Sequence, residues 1–251
     1  MDLDLQNRIA LITGSSRGIG KSIALTLNDE GCTVILNGRN IKNLKSSVKD
    51  FHTNLSFFTY DVTDPISCKK MVKQIVKKFG GLDILICNVG SGKSVPSGTE
   101  QKKDWLNMFE KNFLSTTNMI EASKNELEKS HGCVICISSI AGMERTNAPT
   151  SYACSKAALN SYVHSICKPL AKRNIRINAV SPGNIMFEGS TWEEKLSKKP
   201  LEVKKMLKND VPLNRFGTPE EVSHLVSFLV SKKASFITGA IFTIDGGQTH
   251  S

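Results

Sequence analysis

The sequence predicts an α/β fold: a doubly wound parallel sheet of about seven strands with helices on both faces. Short apolar runs rich in β-forming residues alternate along the chain with amphipathic stretches, as in repeated strand–helix units. The apolar runs are continuous, so we expect each strand to be buried on both faces, as in a parallel sheet. The predicted strands are 8–13, 32–37, 56–61, 83–88, 133–138, 175–180 and 241–245.

Helical periodicity fills the segments between these strands. The predicted helices are 18–29, 41–50, 65–79, 102–127, 151–172 and 219–230. One irregular stretch, 184–218, separates the sixth strand from the last helix, and we call it the insertion. It contains two predicted short helices, 192–197 and 201–209. Because no linker, repeat or low-complexity tract interrupts the chain, we expect residues 1–251 to form a single domain.

Composition excludes several classes of protein. The chain has 251 residues, of which 39% are hydrophobic and 22% are charged, as is typical of globular proteins. No apolar run approaches the ~18 residues that cross a bilayer. The N-terminal segment MDLDLQNR lacks the basic region of a secretory signal. We therefore expect a soluble, cytoplasmic protein that does not contact a membrane.

The seven cysteines are odd in number and scattered, which argues against a disulfide framework. Cys133 and Cys136 form a CxxC pair inside a predicted strand, where positions three apart point to opposite faces. The five histidines form no cluster with the cysteines. No metal site is expected.

The basic balance raises the question of an acidic partner. With 33 Lys and Arg against 23 Asp and Glu, the net charge is +10. The lysines are spread along amphipathic stretches such as MVKQIVKKFG and EVKKMLKND, the usual pattern of solvated helix faces. They lack the interleaved aromatic residues that base stacking requires. A nucleic-acid partner is therefore not expected.

A glycine-rich turn follows the first strand directly and opens the first helix. Its sequence is TGSSRGIG, in which the glycines let the backbone approach a pyrophosphate that the helix N-terminus attracts. Such a turn at the start of a strand–helix series predicts a Rossmann-type dinucleotide-binding domain. Its candidate cofactor-binding residues are Gly14, Ser16, Arg17, Gly18, Ile19 and Gly20.

The end of the second strand indicates which dinucleotide binds. An acidic residue there would bind the ribose hydroxyls of NAD, but the sequence is Leu36-Asn37-Gly38-Arg39. The guanidinium of Arg39 favours a 2′-phosphate, and Arg17 adds a second positive charge. The prediction is NADP(H), with Asn37 and Arg39 in the site. An exposed arginine is common on such loops, so Arg39 alone does not decide between NADP(H) and NAD(H).

The segment SYACSK predicts a catalytic pair. Tyr152 and Lys156 are four positions apart and share one helix face. An ammonium near a phenol is expected to lower the pKa of the phenol, which suits an acid–base catalyst. Ser138-Ser139 ends the fifth strand, at the edge where such sheets bind ligands. A hydroxyl there can hold a carbonyl oxygen while Tyr152 transfers the proton.

With the glycine turn, the strand-end serine and YxxxK in this order, the chain resembles the short-chain dehydrogenase/reductase family over essentially its whole length. Further segments match that family's pattern. Asp61-Val62 is similar to its adenine-contacting pair, and the Asn88–Gly90 segment is similar to its NAG motif. Asn112 matches its helix asparagine. The remaining matches are the PG motif at Pro182-Gly183 with Ile185, and the terminal Asp245-Gly246-Gly247.

The resemblance implies hydride transfer between NADP(H) and a carbonyl or secondary alcohol. Ser139 would position the substrate oxygen, with Ser138 its non-catalytic neighbour. Tyr152 would donate the proton. Lys156 would lower the tyrosine pKa and hold the nicotinamide ribose. Asn112 would support a water that relays protons to the lysine.

Two positions depart from the family pattern. Phe187 stands where the family often has a threonine that contacts the nicotinamide side, and Val89 replaces an alanine.

We expect substrate choice to lie in 91–100, in 140–149 and in the insertion. Phe187, Trp192 and Leu196 of the insertion either close over a bound molecule as a lid or pack on the body of the domain.

The substrate remains open. The first expectation is a 3-oxoacyl thioester on an acidic acyl carrier protein, which a chain of net charge +10 would attract. The second is a sugar or polyol in polysaccharide biosynthesis. A non-catalytic dinucleotide-binding scaffold would be expected to lack the serine, tyrosine or lysine, and this chain has all three. The resemblance also implies a homotetramer, or a homodimer, formed through the helices near 102–127 and 151–172.

Overall fold

The computed structural model describes residues 2–51 and 55–250. Within these ranges the strands are β1 (Ile9–Ile12), β2 (Thr33–Gly38), β3 (Leu55–Thr59), β4 (Ile84–Cys87), β5 (Cys133–Ile137), β6 (Arg176–Pro182) and β7 (Ile241–Ile244). The helices are α1 (Gly18–Asp29), α2 (Ile41–Ser47), α3 (Pro65–Phe79), α4 (Lys102–Phe109), α5 (Ser115–Lys129), α6 (Thr150–Ala171), α7 (Thr191–Lys198), α8 (Pro200–Asp210) and α9 (Pro219–Val230).

All seven strands pair in parallel in one sheet, in the order β3-β2-β1-β4-β5-β6-β7. The predicted doubly wound fold is confirmed, with strand ends that differ from the prediction by at most two residues. Residues 1, 52–54 and 251 of the predicted domain lie outside the described residues, and the single-domain assignment stays a prediction.

Two apolar layers cover the sheet. Helices α1, α2 and α9 contribute to the core on one face, and α3, α5 and α6 contribute to the core on the other. Cys133 belongs to the first layer and Cys136 to the second, so the CxxC pair is divided between the two faces as its spacing predicts.

Local capping signals mark the starts of two correctly predicted helices, α3 and α9. Asp64 accepts hydrogen bonds from the backbone N–H groups of Ile66 and Ser67, and Pro65 occupies the first turn of α3. Thr218 and Glu221 form a reciprocal capping box at the start of α9. These caps explain why the predicted ranges 65–79 and 219–230 match the structure.

Two predicted helices were wrong in part. The range 102–127 is not one α-helix, because a π-helical turn at Glu110–Leu114 separates α4 from α5. The range 41–50 ends as α-helix at Ser47 and continues as a 3-10 turn, Val48–Asp50. Among the described residues, no helix combines the length and apolar character needed to cross a bilayer.

The 3-10 turn at Ile140–Gly142 follows β5 and lies against the backbone of α6. A methyl group at Gly142 would lie 2.5 Å from the carbonyl carbon of Lys156 and 2.7 Å from the nitrogen of Ala157. Only a glycine permits this approach, because both neighbours are main-chain atoms.

Gly142→Ala is therefore expected to reduce the free energy of unfolding by about 1–3 kcal/mol through overpacking. Urea denaturation measures the change. The control is Gly81→Ala, because the corresponding methyl group has nothing within 4 Å. Equal stability of the two variants would contradict the close contact between the turn and α6.

Candidate active site

The strand order reverses at β1, which lies between β2 and β4. Ligands of open parallel sheets bind at such a switch point, outside the carboxyl ends of the strands. A cleft of about 870 Å³ opens there. It is lined by all but one of the predicted site residues: Gly14, Ser16, Arg17, Ile19, Gly20, Asn37, Arg39, Asp61, Val62, Asn88, Gly90, Asn112, Ser139, Tyr152, Lys156, Pro182, Gly183 and Ile185.

The glycine turn is fixed to the end of β4 by Asn88 and Thr13. The Asn88 side-chain amide donates to the carbonyl oxygens of Thr13 and Gly14, both at 3.0 Å. The Thr13 hydroxyl accepts from the Asn88 N–H at 2.9 Å and donates to the Ile86 carbonyl at 3.2 Å. Sequence reasoning assigned no role to Thr13, although the residue stands in the quoted motif.

Gly18 is the predicted site residue that does not line the cleft. Its φ is +56°, and a methyl group there would lie 2.5–2.8 Å from three ring atoms of Phe187. The ring of Phe187 therefore packs on the glycine turn. Beside it, the Arg17 guanidinium donates to the Gly189 carbonyl at 3.4 Å. The start of the insertion thus lies across the turn that was predicted to bind the pyrophosphate.

Two side chains at the end of β2, Asn37 and Arg39, have different environments. Asn37 is 1% exposed, and its amide donates to the carbonyl oxygens of Phe58 at 3.2 Å and Tyr60 at 3.1 Å. That amide therefore joins β2 to the end of β3. Arg39 is different: its side chain is 71% exposed, and Nη1 lies 3.7 Å from Oδ2 of Asp61.

Asp61 is oriented by its own loop. Its Oδ1 accepts hydrogen bonds from the Thr63 N–H at 3.0 Å and from the Thr63 hydroxyl at 2.8 Å. Burial raises the pKa of Asp61, but these bonds and the charge of Arg39 outweigh it, so the pKa is lowered. Asp61 is therefore held as a carboxylate beside Arg39.

The two serines after β5 point to different partners. The Ser138 hydroxyl donates to Oδ1 of Asn160 at 2.6 Å, and the Asn160 amide donates to the Gly142 carbonyl at 3.2 Å. Ser139 caps the 3-10 turn by accepting from the Ala141 N–H at 3.2 Å, and it lines the cleft. Ser138 lines the cleft as well, but its hydroxyl is bonded to Asn160, whereas the Ser139 side chain is bonded to Tyr152, which agrees with the choice of Ser139 over Ser138. Asn160 was missed, because its contacts are long-range and no local pattern predicts them.

Lys156 is 3% exposed and has no carboxylate partner among the described residues. Its Nζ donates to the Ile137 carbonyl at 2.8 Å and lies 6.0 Å from the ring centroid of Tyr152. Burial lowers the pKa of Lys156 to about 8. Burial also raises the pKa of Tyr152, and a hydrogen bond with the Ser139 side chain lowers it by less. The lowered tyrosine pKa expected from the sequence is therefore not found.

Asn112 lies in the π-helical turn and is 0% exposed. Its Oδ1 accepts from the Ser91 N–H at 2.9 Å, and its Nδ2 donates to the carbonyls of Ser91 at 3.2 Å and Met108 at 3.0 Å. A methyl group at Gly90 would lie 2.8 Å from Asn112 Oδ1 and 3.3 Å from Lys156 Nζ. Asn112 and Lys156 therefore flank the same short backbone segment after β4.

All three segments predicted to choose the substrate contribute to the cleft. Their lining residues include Ser91, Gly92, Thr146, Asn147, Phe187, Trp192, Lys195 and Met206. Leu196 is not among them. An ion pair of 3.0 Å between Lys93 and Glu194 joins the 91–100 segment to the insertion, and the Ser94 hydroxyl lies 2.8 Å from the Ser151 hydroxyl of α6. Gln248 also lines the cleft and was missed.

Known proteins resemble this chain along nearly its whole length. A family model described as enoyl-(acyl carrier protein) reductase matches residues 14–249. The 3-oxoacyl-[acyl-carrier-protein] reductase of Thermotoga maritima is 34% identical over 249 residues, covering 97% of this chain and 98% of the relative. The same enzyme from Rickettsia bellii is also 34% identical, covering 98% of each chain.

Solved structures show the same architecture. A 7α-hydroxysteroid dehydrogenase complexed with NADH and 7-oxo glycochenodeoxycholic acid has a TM-score of 0.91 and 28% identity, covering 100% of this chain and 97% of that one. The L-sorbose reductase of Gluconobacter frateurii, complexed with NADPH and L-sorbose, has a TM-score of 0.91 and 27% identity, with both chains fully covered. The chain belongs to the short-chain dehydrogenase/reductase family of nicotinamide-dependent oxidoreductases.

Proposed function

We propose that the chain is an NADP(H)-dependent reductase of 3-oxoacyl thioesters, with the substrate carried on an acidic acyl carrier protein. The observation that carries the proposal is the convergence of Ser139, Tyr152, Lys156 and Asn112 on one side of the dinucleotide cleft. The similarity to 3-oxoacyl-[acyl-carrier-protein] reductases supports the proposed substrate, and the net charge of +10 supports its acidic carrier.

The residues of the cleft fit a dinucleotide with a 2′-phosphate. The turn after β1 presents backbone to the cleft, and the end of β2 has no carboxylate for the ribose hydroxyls. The Asn37 amide is already bonded to the end of β3, whereas the Arg39 guanidinium is exposed and lies 3.7 Å from Asp61, so it can turn from this ion pair toward a phosphate. Arg17 adds a second cation on the glycine turn.

Each catalytic side chain then has one task. When bound, the cofactor supplies the hydride for the carbonyl carbon. The Ser139 hydroxyl holds the substrate oxygen, and the Tyr152 phenol donates its proton to that oxygen. The raised pKa of Tyr152 keeps the phenol protonated at neutral pH, as a proton donor requires. Lys156 returns a proton to the tyrosine, and Asn112, which flanks the same segment at Gly90, supports the water that relays protons to Lys156.

A sugar or polyol is the second candidate substrate. The polar residues Thr146, Asn147 and Gln248 line the cleft and are suited to bind hydroxyl groups. The L-sorbose reductase of the same architecture supports this alternative. Turnover of a short 3-oxoacyl thioester with NADPH favours the first candidate, and turnover of ketoses alone favours the second.

We also propose a homotetramer or homodimer formed through α4, α5 and α6. Leu106 is 60% exposed and Leu114 is 45% exposed on this side of the molecule. The rings of Phe109, Phe113 and Tyr162 pack edge to face beside them. An apolar surface of this kind is suited to contact a second copy of the chain.

The protein is expected to act in the cytoplasm.

Tyr152→Phe is expected to reduce kcat about 10²–10⁴-fold, because it removes the proton donor and leaves the ring. NADPH binding, measured by fluorescence titration, should change little. Tyr162→Phe removes a hydroxyl from the same helix outside the cleft and should retain activity. Full activity of the Tyr152 variant would rule out the assignment.

Arg39→Ala is expected to weaken NADPH binding about 10–100-fold, the size of one charge-assisted hydrogen bond of ~1.5–3 kcal/mol. NADH binding should be unchanged, because NADH has no 2′-phosphate. Lys42→Ala removes the same charge from α2 outside the cleft and should affect neither cofactor. Equal losses for NADPH and NADH would contradict the proposed contact.

Lys156→Met is expected to stabilise the protein below pH 8. The pKa of Lys156 falls to about 8 on folding, whereas the unfolded chain has the ordinary, higher value, so the folded protein bears the cost of a buried ammonium. The gain is at most about 3 kcal/mol and is reduced by the loss of the bond to Ile137. It should shrink as the pH rises from 8 towards 10.

Thermal denaturation across this pH range measures the effect. Lys156→Arg retains the charge and should show no such gain. If the difference in stability between wild type and Lys156→Met does not vary with pH, the buried charge is not the cause of that difference.

A further inference from the structure

Lys195 is a cation of the insertion that faces the cleft. It lies on α7 and lines the cleft together with Trp192 of the same helix. Its Nζ is 4.6 Å from the ring centroid of Trp192, within the range of a cation–π contact. This contact holds the ammonium over the indole face and limits the orientations of a side chain that is otherwise long and flexible.

The neighbouring acids are bonded elsewhere. Glu194 pairs with Lys93 at 3.0 Å and with Lys198 at 2.9 Å, and these bonds lower its pKa to about 2. Glu193 accepts from the Gly189 N–H at 2.6 Å. No ion pair joins Lys195 to any acid in the described ranges. The positive charge of Lys195 is therefore uncompensated.

The other cations of the cleft belong to the cofactor and proton-transfer regions, not to the insertion. The cationic residues that line the cleft are Arg17, Arg39, Lys111, Lys156 and Lys195. Asp210, at the end of α8, also lines the cleft, and no ion pair connects it with Lys195. Lys195 thus offers a positive charge on the wall of the cleft that the insertion forms.

We propose that Lys195 is a specificity-determining residue that binds an anionic group of the substrate, either a phosphate ester or a carboxylate. The inference rests on the proposed function, because it places this group on the same molecule as the ketone that is reduced. An ammonium already held over an indole loses little freedom when it binds an anion. Neutral ketones of the same length lack this contact and should bind less well.

The test uses two substrate pairs that differ only in charge. One pair is the acetoacetyl thioester of pantetheine 4′-phosphate and that of pantetheine. The other is a 3-oxo acid and its methyl ester. The readout is the KM of the neutral member divided by the KM of the anionic member of a pair. A general effect of a substitution on folding or catalysis cancels in this ratio. The enzyme is measured with NADPH at low ionic strength, where charge contacts are least screened.

For wild type, the anionic member of one pair is expected to have a KM about three- to tenfold lower. Lys195→Gln should bring the ratio to about one, and Lys195→Arg should keep it. Lys205→Gln removes the same charge from α8 outside the cleft and should also keep it. Asp210→Asn should increase the ratio, because it removes a carboxylate from the wall of the cleft. The pair that responds identifies the anion as a phosphate or a carboxylate.

A ratio near one in wild type for both pairs, or a ratio that survives in Lys195→Gln, would overturn the inference. Calorimetric titration with pantetheine 4′-phosphate, pantetheine, and the acid and ester separates this outcome from a failure of the proposed function. If wild type reduces neither thioester, the proposed function is wrong. If wild type binds an anionic ligand more tightly than its neutral partner and Lys195→Gln loses this difference, the inference about Lys195 is supported. If wild type shows no such difference, the inference is rejected.

Discussion

The site depends on hydrogen bonds that hold the ends of β1 and β4 together. These strands are neighbours in the sheet, yet the chain leaves β1 for β2 and β3 and returns to β4 only after three helices. The cleft opens because their outgoing loops diverge. Asn88 and Thr13 span this division with bonds of 2.9–3.0 Å. These bonds supplement the parallel pairing of β1 with β4 and the bond from the Thr13 N–H to the Ile86 carbonyl, and they help to fix the glycine turn relative to the segment at Gly90.

The side chains that we propose as catalytic are held by polar contacts within an apolar core. Asn112 satisfies its amide with three backbone groups, and the π-helical turn gives its side chain this orientation. Lys156 has one bond, to Ile137, and no counter-charge among the described residues. A buried ammonium in this environment opposes folding, so the two apolar layers on the sheet must supply the stability that it removes. The same burial brings its pKa to about 8, within reach of proton transfer at physiological pH.

The sequence contained most of the fold and most of the residues of the cleft. Buried strands and capped helices such as α3 and α9 are local properties, and periodicity with capping residues is enough to place them. The π-helical turn at Glu110–Leu114 and the packing of Phe187 on Gly18 could not be predicted in this way. Both depend on contacts between segments that are far apart in the chain, as do the bonds of Asn37 and Asn160 that fix the ends of β2 and β5.

The insertion shows why the substrate is harder to infer than the reaction. Its base is fixed by backbone bonds between residues 184–186 and 217, such as Met186 N–H to the Gly217 carbonyl at 2.9 Å. Its outer edge is held by exposed ion pairs such as Lys93–Glu194, and such pairs contribute only ~0–1 kcal/mol each. The base therefore fixes the position of the insertion relative to β6. The outer edge can separate from the 91–100 loop at a small cost in free energy. The proposed chemistry depends on the rigid sheet edge, whereas the proposed substrate choice depends on side chains of a wall whose position is weakly determined.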